Sequence, residues 1–115
     1  MPDQELDELT SARKWAHQKL LDEGSKVYRS FIQMEDAAFS DGALKKKYKE
    51  LIAIGISVRI DCDSCMQWHI EQAALAGASY KEVLEAVEVG MEMGGGPATV
   101  SARFALKVMD SVFET

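Results

Sequence analysis

The stretch Lys49-Glu50-Leu51-Ile52-Ala53-Ile54-Gly55-Ile56-Ser57-Val58-Arg59-Ile60 decides the fold class, because it admits two readings. By residue preference alone, Ile-Gly-Ile-Ser-Val-Arg-Ile fits a β-strand. Two features favour a helix over residues 43–59. The preceding Lys47-Tyr48-Lys49-Glu50 is helical in character, and no other segment offers a convincing strand for it to pair with. A helix that is apolar on every side from Leu51 to Val58 needs burial on every side. A chain of 115 residues rarely provides such a centre alone, so the pattern points to burial between subunits.

Working outward, the rest of the chain also reads as helical. Leu9, Ala12, Ala16 and Leu20 recur at helical spacing within residues 6–21, and Asp22-Glu23-Gly24 stops that segment. A second helix over residues 26–39 carries Val27, Phe31, Met34 and Ala38 on one face. Ser40-Asp41-Gly42 ends it, and Asp41 is placed to cap the helix that follows. After the apolar run, a fourth helix covers residues 62–76, with Asp61 expected as its cap and Gly77 as its stop. Ser79 and Glu82 have the spacing of a capping box for a fifth helix, which ends at Gly94-Gly95-Gly96. Pro97 suits the first turn of the sixth, whose buried stripe is expected to be Phe104, Ala105, Val108 and Val112. The triglycine is read as a helix–helix turn. The expectation is an all-α protein of about six helices in a single domain over residues 1–115, with N-terminal helices in 1–38 and a core in 39–113.

The chemistry is concentrated in Asp61-Cys62-Asp63-Ser64-Cys65-Met66-Gln67-Trp68-His69. Two α-carbons three residues apart on a helix lie roughly 5 Å from each other, within the span of a disulfide. Cys62 and Cys65 can therefore bridge and reopen with little backbone movement. A redox couple needs that reversibility, whereas a bridge closing so few residues adds little as a structural staple. The helix N-terminus favours a thiolate, most directly at Cys62. Cys65 has His69 one turn further on, at i+4 on the same face, where an imidazole can take the thiol proton directly or through one water. A carboxylate behind the imidazole would complete a relay. Glu50 is a candidate because it opens the apolar part of the preceding helix, although a glutamate at such a junction is more commonly solvated or capping. Zinc would need a fourth ligand and a second cysteine pair, and the sequence has neither, so neither a metal nor a cofactor is expected. The other reading of the cysteines is two inert core thiols. His17 reads as a surface residue, and Met66 and Trp68 as packing.

Bulk properties narrow the partners. A net charge of −6 argues against nucleic acid and gives no reason to expect an anionic membrane surface. The longest apolar runs fall far short of the ~18 residues that suggest a span. The opening Met-Pro-Asp-Gln-Glu is unlike the basic start of a secretory signal, so a cytoplasmic location is expected. There a Cys-x-x-Cys pair is redox-active or metal-binding more often than structural.

With these residues laid out, the chain resembles the alkyl hydroperoxidase D-like branch of the carboxymuconolactone decarboxylase superfamily. The resemblance spans roughly residues 39–113. It rests on Asp41-Gly42-Ala43-Leu44, Lys49-Glu50-Leu51-Ile52-Ala53, Cys62 to His69, Ala76-Gly77-Ala78, Glu82-Val83-Leu84-Glu85-Ala86 and Met93-Gly94-Gly95-Gly96-Pro97. It implies an all-helical fold assembled as a homotrimer or homohexamer. It also implies peroxide reduction by Cys62 and Cys65, with Glu50 and His69 as a proton relay. Glu50 lies twelve residues before Cys62, matching the family's glutamate. Some members carry a histidine just before the second cysteine, where this chain has Ser64. Reductants implied by the resemblance are a dithiol, lipoyl groups among them, with electrons passing in some members to a peroxiredoxin. Cys65 is expected to attack and Cys62 to resolve. The rival readings are a decarboxylase-like lyase, which would not use the thiols, and a non-catalytic redox-sensing oligomer.

Overall fold

The computed structural model describes residues 3–114, which form six α-helices and, among the described residues, no strand. The chain divides into two compact units, Met1–Ser40 and Asp41–Thr115.

The first unit is a pair of helices, α1 (Gln4–Asp22) and α2 (Lys26–Ala38). Asp3 caps α1 by accepting from the Leu6 amide at 3.2 Å, with acidic Glu5 and Asp7 in the first turn complementing the helix dipole. Ser25 caps α2 through the Tyr28 amide at 3.1 Å. His17, expected at the surface, is half-buried: its Nδ1 lies 2.5 Å from the Tyr28 hydroxyl, and the two rings meet edge to face. Val27, Phe31 and Met34 share a face of α2 as expected, but that face is exposed, with Val27 83% accessible.

The second unit holds α3 (Lys46–Arg59), α4 (Asp63–Leu75), α5 (Tyr80–Gly94) and α6 (Gly96–Phe113). α3 packs against α4 and α5, and α6 lies on both of those helices. Ile54, Val58, Met66, Ile70, Val83, Val87, Val108 and Met109 are fully buried and form the core. In α6 the buried stripe is Ala98, Ser101, Ala102, Ala105, Val108 and Met109, so Phe104 and Val112 are only half-buried. Ser79 and Glu82 form the anticipated capping box, with bonds of 3.1 and 2.9 Å. Pro97 stands in the first turn of α6.

The decisive stretch is helical. Ser57 confirms the register locally, its hydroxyl donating to the Ala53 carbonyl one turn back at 2.7 Å. Burial is one-sided, however. Ile54 and Val58 are at the centre, while Ile52, Ile56 and Ile60 remain 53%, 54% and 61% exposed. Ile52 and Ile56 border an apolar groove of about 530 Å³ between α3 and α5, with Leu51, Val89 and Met93 among its other lining residues. Below the groove the two helices approach very closely. A Cβ at Gly90 would lie 2.5 Å from the Gly55 carbonyl oxygen and 3.0 Å from the Val58 Cβ, so only glycine fits this crossing.

The connection from α3 to α4 departs from the expected capping. α4 begins at Asp63 and its cap is Cys62, not Asp61. Asp61 belongs to the end of α3, at φ 58°, in the left-handed position that glycine usually fills. Its amide donates to the Val58 carbonyl at 3.3 Å, and the Cys62 amide to the Ser57 carbonyl at 3.1 Å. Gly77 plays the same part after α4, where the amides of Gly77 and Ala78 bond to Ala74 and Ala73. Aspartate tolerates left-handed backbone better than most residues, and here its carboxylate Oδ1 accepts from the Ser101 hydroxyl at 2.8 Å. Asp41 accepts the amide of Lys46, the first residue of α3, at 2.7 Å from five residues away, while Lys45 occupies the cap position.

Candidate active site

Cys62 is the joint between two helices. Its amide closes α3 and its sulfur opens α4, accepting from the Cys65 amide at 3.2 Å. Cys62 and Cys65 are joined as a disulfide with 5.2 Å between their α-carbons. Sulfur at a helix N-terminus sits where amide donors and the helix dipole favour negative charge. Both cysteines are half-buried. Met66, Gln67 and Ile70 anchor the rest of α4 in the interior, so the face carrying the cysteines has a fixed direction.

One turn beyond Cys65, His69 meets Glu50 of α3. The His69 Nδ1 lies 2.7 Å from Glu50 Oε1, across nineteen residues of sequence. Glu50 is 1% exposed, and its second oxygen, Oε2, accepts from the Lys46 ammonium at 2.9 Å. Burial pushes the Glu50 carboxyl up. The hydrogen bonds from His69 and Lys46, together with their charges, outweigh burial and hold it below its ordinary value. Glu50 is therefore an ionised acceptor at neutral pH. An ionised carboxylate has no proton to donate, so Nδ1 of His69 carries the hydrogen of this contact. In the neutral ring the lone pair is then on Nε2, the form a general base requires.

All four residues singled out from the sequence thus lie on the adjoining helices α3 and α4: Glu50 and His69 in direct contact, and Cys62 and Cys65 bridged at the start of α4. Two groups escaped the sequence reading. Lys46 is not among the site residues expected from the sequence, although its i,i+4 spacing to Glu50 is a usable signal. Ser101 reaches Asp61 across forty residues, and no local pattern announces that contact. None of Cys62, Cys65 or His69 lines the apolar groove, so the groove and the cysteine corner are separate features. Among the described residues no group of three His, Cys, Asp or Glu side chains is arranged to hold a metal ion. No helix among them is long and apolar enough to cross a membrane.

The comparisons with known proteins agree with the all-helical fold. The profile of the carboxymuconolactone decarboxylase family matches residues 25–108. An uncharacterised protein in the cox locus of Paracoccus denitrificans is 34% identical over 89 residues, covering 77% of this chain and 80% of that protein. An uncharacterised protein of Cupriavidus necator is 38% identical over 83 residues, covering 72% and 74%. Among solved structures, an apo crystal structure of a family protein from Legionella pneumophila superposes with a TM-score of 0.90. It shares 30% identity and covers 96% of this chain and 98% of its own. A family protein from Thermotoga maritima, with a suggested involvement in antioxidative response, gives a TM-score of 0.84 at 26% identity, covering 93% and 91%.

Proposed function

Since the chain belongs to the carboxymuconolactone decarboxylase family, we propose that it works as a thiol-dependent peroxidase of the alkyl hydroperoxidase D type, cycling between the Cys62–Cys65 dithiol and its disulfide. The observation that carries this reading is the His69–Glu50 contact of 2.7 Å one helical turn beyond a bridged cysteine pair. A structural disulfide has no use for a buried carboxylate that orients an imidazole; a proton-transferring thiol site does. The antioxidative role suggested for the Thermotoga maritima protein is in keeping with it.

In the proposed cycle His69 takes the proton of Cys65, and the resulting thiolate attacks the terminal oxygen of a hydroperoxide. The O–O bond breaks, Cys65 becomes a sulfenic acid, and the alkoxide leaves as an alcohol with the proton held by His69. The Cys62 thiol then displaces hydroxide from the Cys65 sulfur. One water leaves and the disulfide forms. A dithiol reductant attacks the disulfide at Cys62, releasing Cys65 with a returned proton. Its second thiol resolves the mixed disulfide, so the reductant leaves oxidised and both cysteines leave reduced. A lipoyl-type dithiol or a peroxiredoxin partner has the required chemistry. The exposed isoleucines of α3 support assembly into a homotrimer or homohexamer.

The test is peroxide consumption with dithiothreitol or dihydrolipoamide as electron donor. Native protein should turn over, and Cys62→Ser with Cys65→Ser should reduce the rate to background. Equal consumption by the double variant would refute the proposal. Disulfide cycling without turnover would favour a redox sensor. A lactone decarboxylase activity untouched by both serines would favour the lyase reading.

A further inference from the structure

We propose that Lys46 is a positioning residue of this site, holding Glu50 as a carboxylate so that His69 alone accepts the thiol proton. The inference rests on the thiol-peroxidase reading for its purpose, but its geometry stands without it.

Lys46 is in an unfavourable place by local rules. It is the first residue of α3, where the helix dipole disfavours a cation, and α3 has no acidic residue in its first turn. α1 and α5, in contrast, carry acidic residues there. The pair is also ordered against preference, because a glutamate N-terminal to its lysine is the better i,i+4 arrangement. A solvated lysine in this position would gain nothing. Lys46 is instead fixed at both ends. Its amide donates to Asp41 at 2.7 Å, and its ammonium reaches the second oxygen of a carboxylate whose side chain is 2% exposed. The neighbouring Lys47 is turned to the other side of α3 and pairs with Glu82 of α5 at 3.0 Å.

The consequence concerns where the proton rests. The charged groups acting on Glu50 are His69 from α4 and Lys46 from its own helix, and on the α5 side Glu82 is engaged by Lys47. With His69 as its only partner, a buried carboxylate is open to sharing the imidazole's proton, because burial penalises its charged form. An ammonium on the second oxygen offsets that penalty. Glu50 then stays an acceptor, and the Nδ1–H tautomer of His69 stays fixed.

The experiment reads Glu50 directly. The side-chain carboxyl carbon of Glu50 is followed by NMR across pH in ¹³C-glutamate-labelled protein, its signal assigned by its loss in Glu50→Gln. Lys46→Met should raise the titration midpoint by about half a unit or more, the least expected for removing one partly solvated charge at hydrogen-bond distance. Lys46→Arg should restore the native midpoint. Lys46→Gln serves as a second neutral variant should methionine disturb the fold. Coincident midpoints in native and neutral variants would overturn the proposal. A second readout is the pH profile of cysteine alkylation in reduced protein. Its acid limb should move upward in Lys46→Met, whereas a merely structural role would lower reactivity evenly at all pH values. Neither measurement uses peroxide, so failure here is distinct from failure of the peroxidase reading, which the double serine variant decides.

Discussion

Ser101 of α6 donates its hydroxyl hydrogen to Asp61, the residue that ends α3 in a left-handed turn immediately before Cys62. The contact ties the last helix to the joint on which the disulfide sits. Ser101→Ala should cost about 1 kcal/mol, the usual net value of such a bond. Asp61→Ala should cost more, because the left-handed backbone adds roughly 1–2 kcal/mol of its own. Asp61→Gly keeps the backbone and loses only the bond, so it should fall near Ser101→Ala. Urea unfolding of the three variants gives the order.

The crossing of α3 and α5 makes a sharper demand. A methyl group at Gly90 would strike the Gly55 carbonyl, a backbone atom that cannot swing aside. Gly90→Ala should therefore lose stability by about 1–3 kcal/mol or more, the range for overpacked cores. Helix preference alone would predict a gain near 1 kcal/mol. The sign of the change in melting temperature decides between packing and propensity.

The Glu50 carboxyl is held below its ordinary value by His69 and Lys46 against the upward push of burial. Its ionised form is therefore stabilised in the folded state. That stability is fully present above the unfolded value near 4.5 and is lost as pH falls through the lower folded value. Glu50→Gln should flatten the part of the stability profile below about pH 4.5 and, at neutral pH, slow cysteine alkylation. Chemical denaturation between pH 3 and pH 7 measures the first effect.

Ile56 is half exposed beside the apolar groove and contributes little to the core of its own chain. Ile56→Lys should leave the monomer folded by circular dichroism while dispersing the proposed homotrimer or homohexamer. The native chain should sediment as a multiple of 12.7 kDa and the variant at 12.7 kDa. A native protein already at monomer mass would contradict the proposed oligomer.

The sequence reading reached the fold class because the choice between helix and strand at residues 49–60 had a non-local answer: nothing else could pair with a strand. Ends marked by short-range chemistry were also readable, as with Ser79 and Glu82 or the amide of Lys46 on Asp41. Asp61 was misassigned because an aspartate before a helix looks like a cap. The left-handed turn ending α3 claims it first, and a sequence pattern does not show which of two adjoining helices owns a shared residue. The contact between Glu50 and His69 spans nineteen residues and depends on how two helices cross, which periodicity does not encode. Family spacing pointed to Glu50. Lys46 was passed over because lysines at a helix start normally face water.

The Cys65 amide donates to the Cys62 sulfur. That sulfur is bonded to the Cys65 sulfur in the disulfide and is a free thiol in the dithiol, so the same N–H would feel each change in electron count. The molecule thereby carries its own gauge. The amide resonance of Cys65 should move between two positions as reductant is titrated, reporting oxidation state from inside the backbone without any dye or substrate.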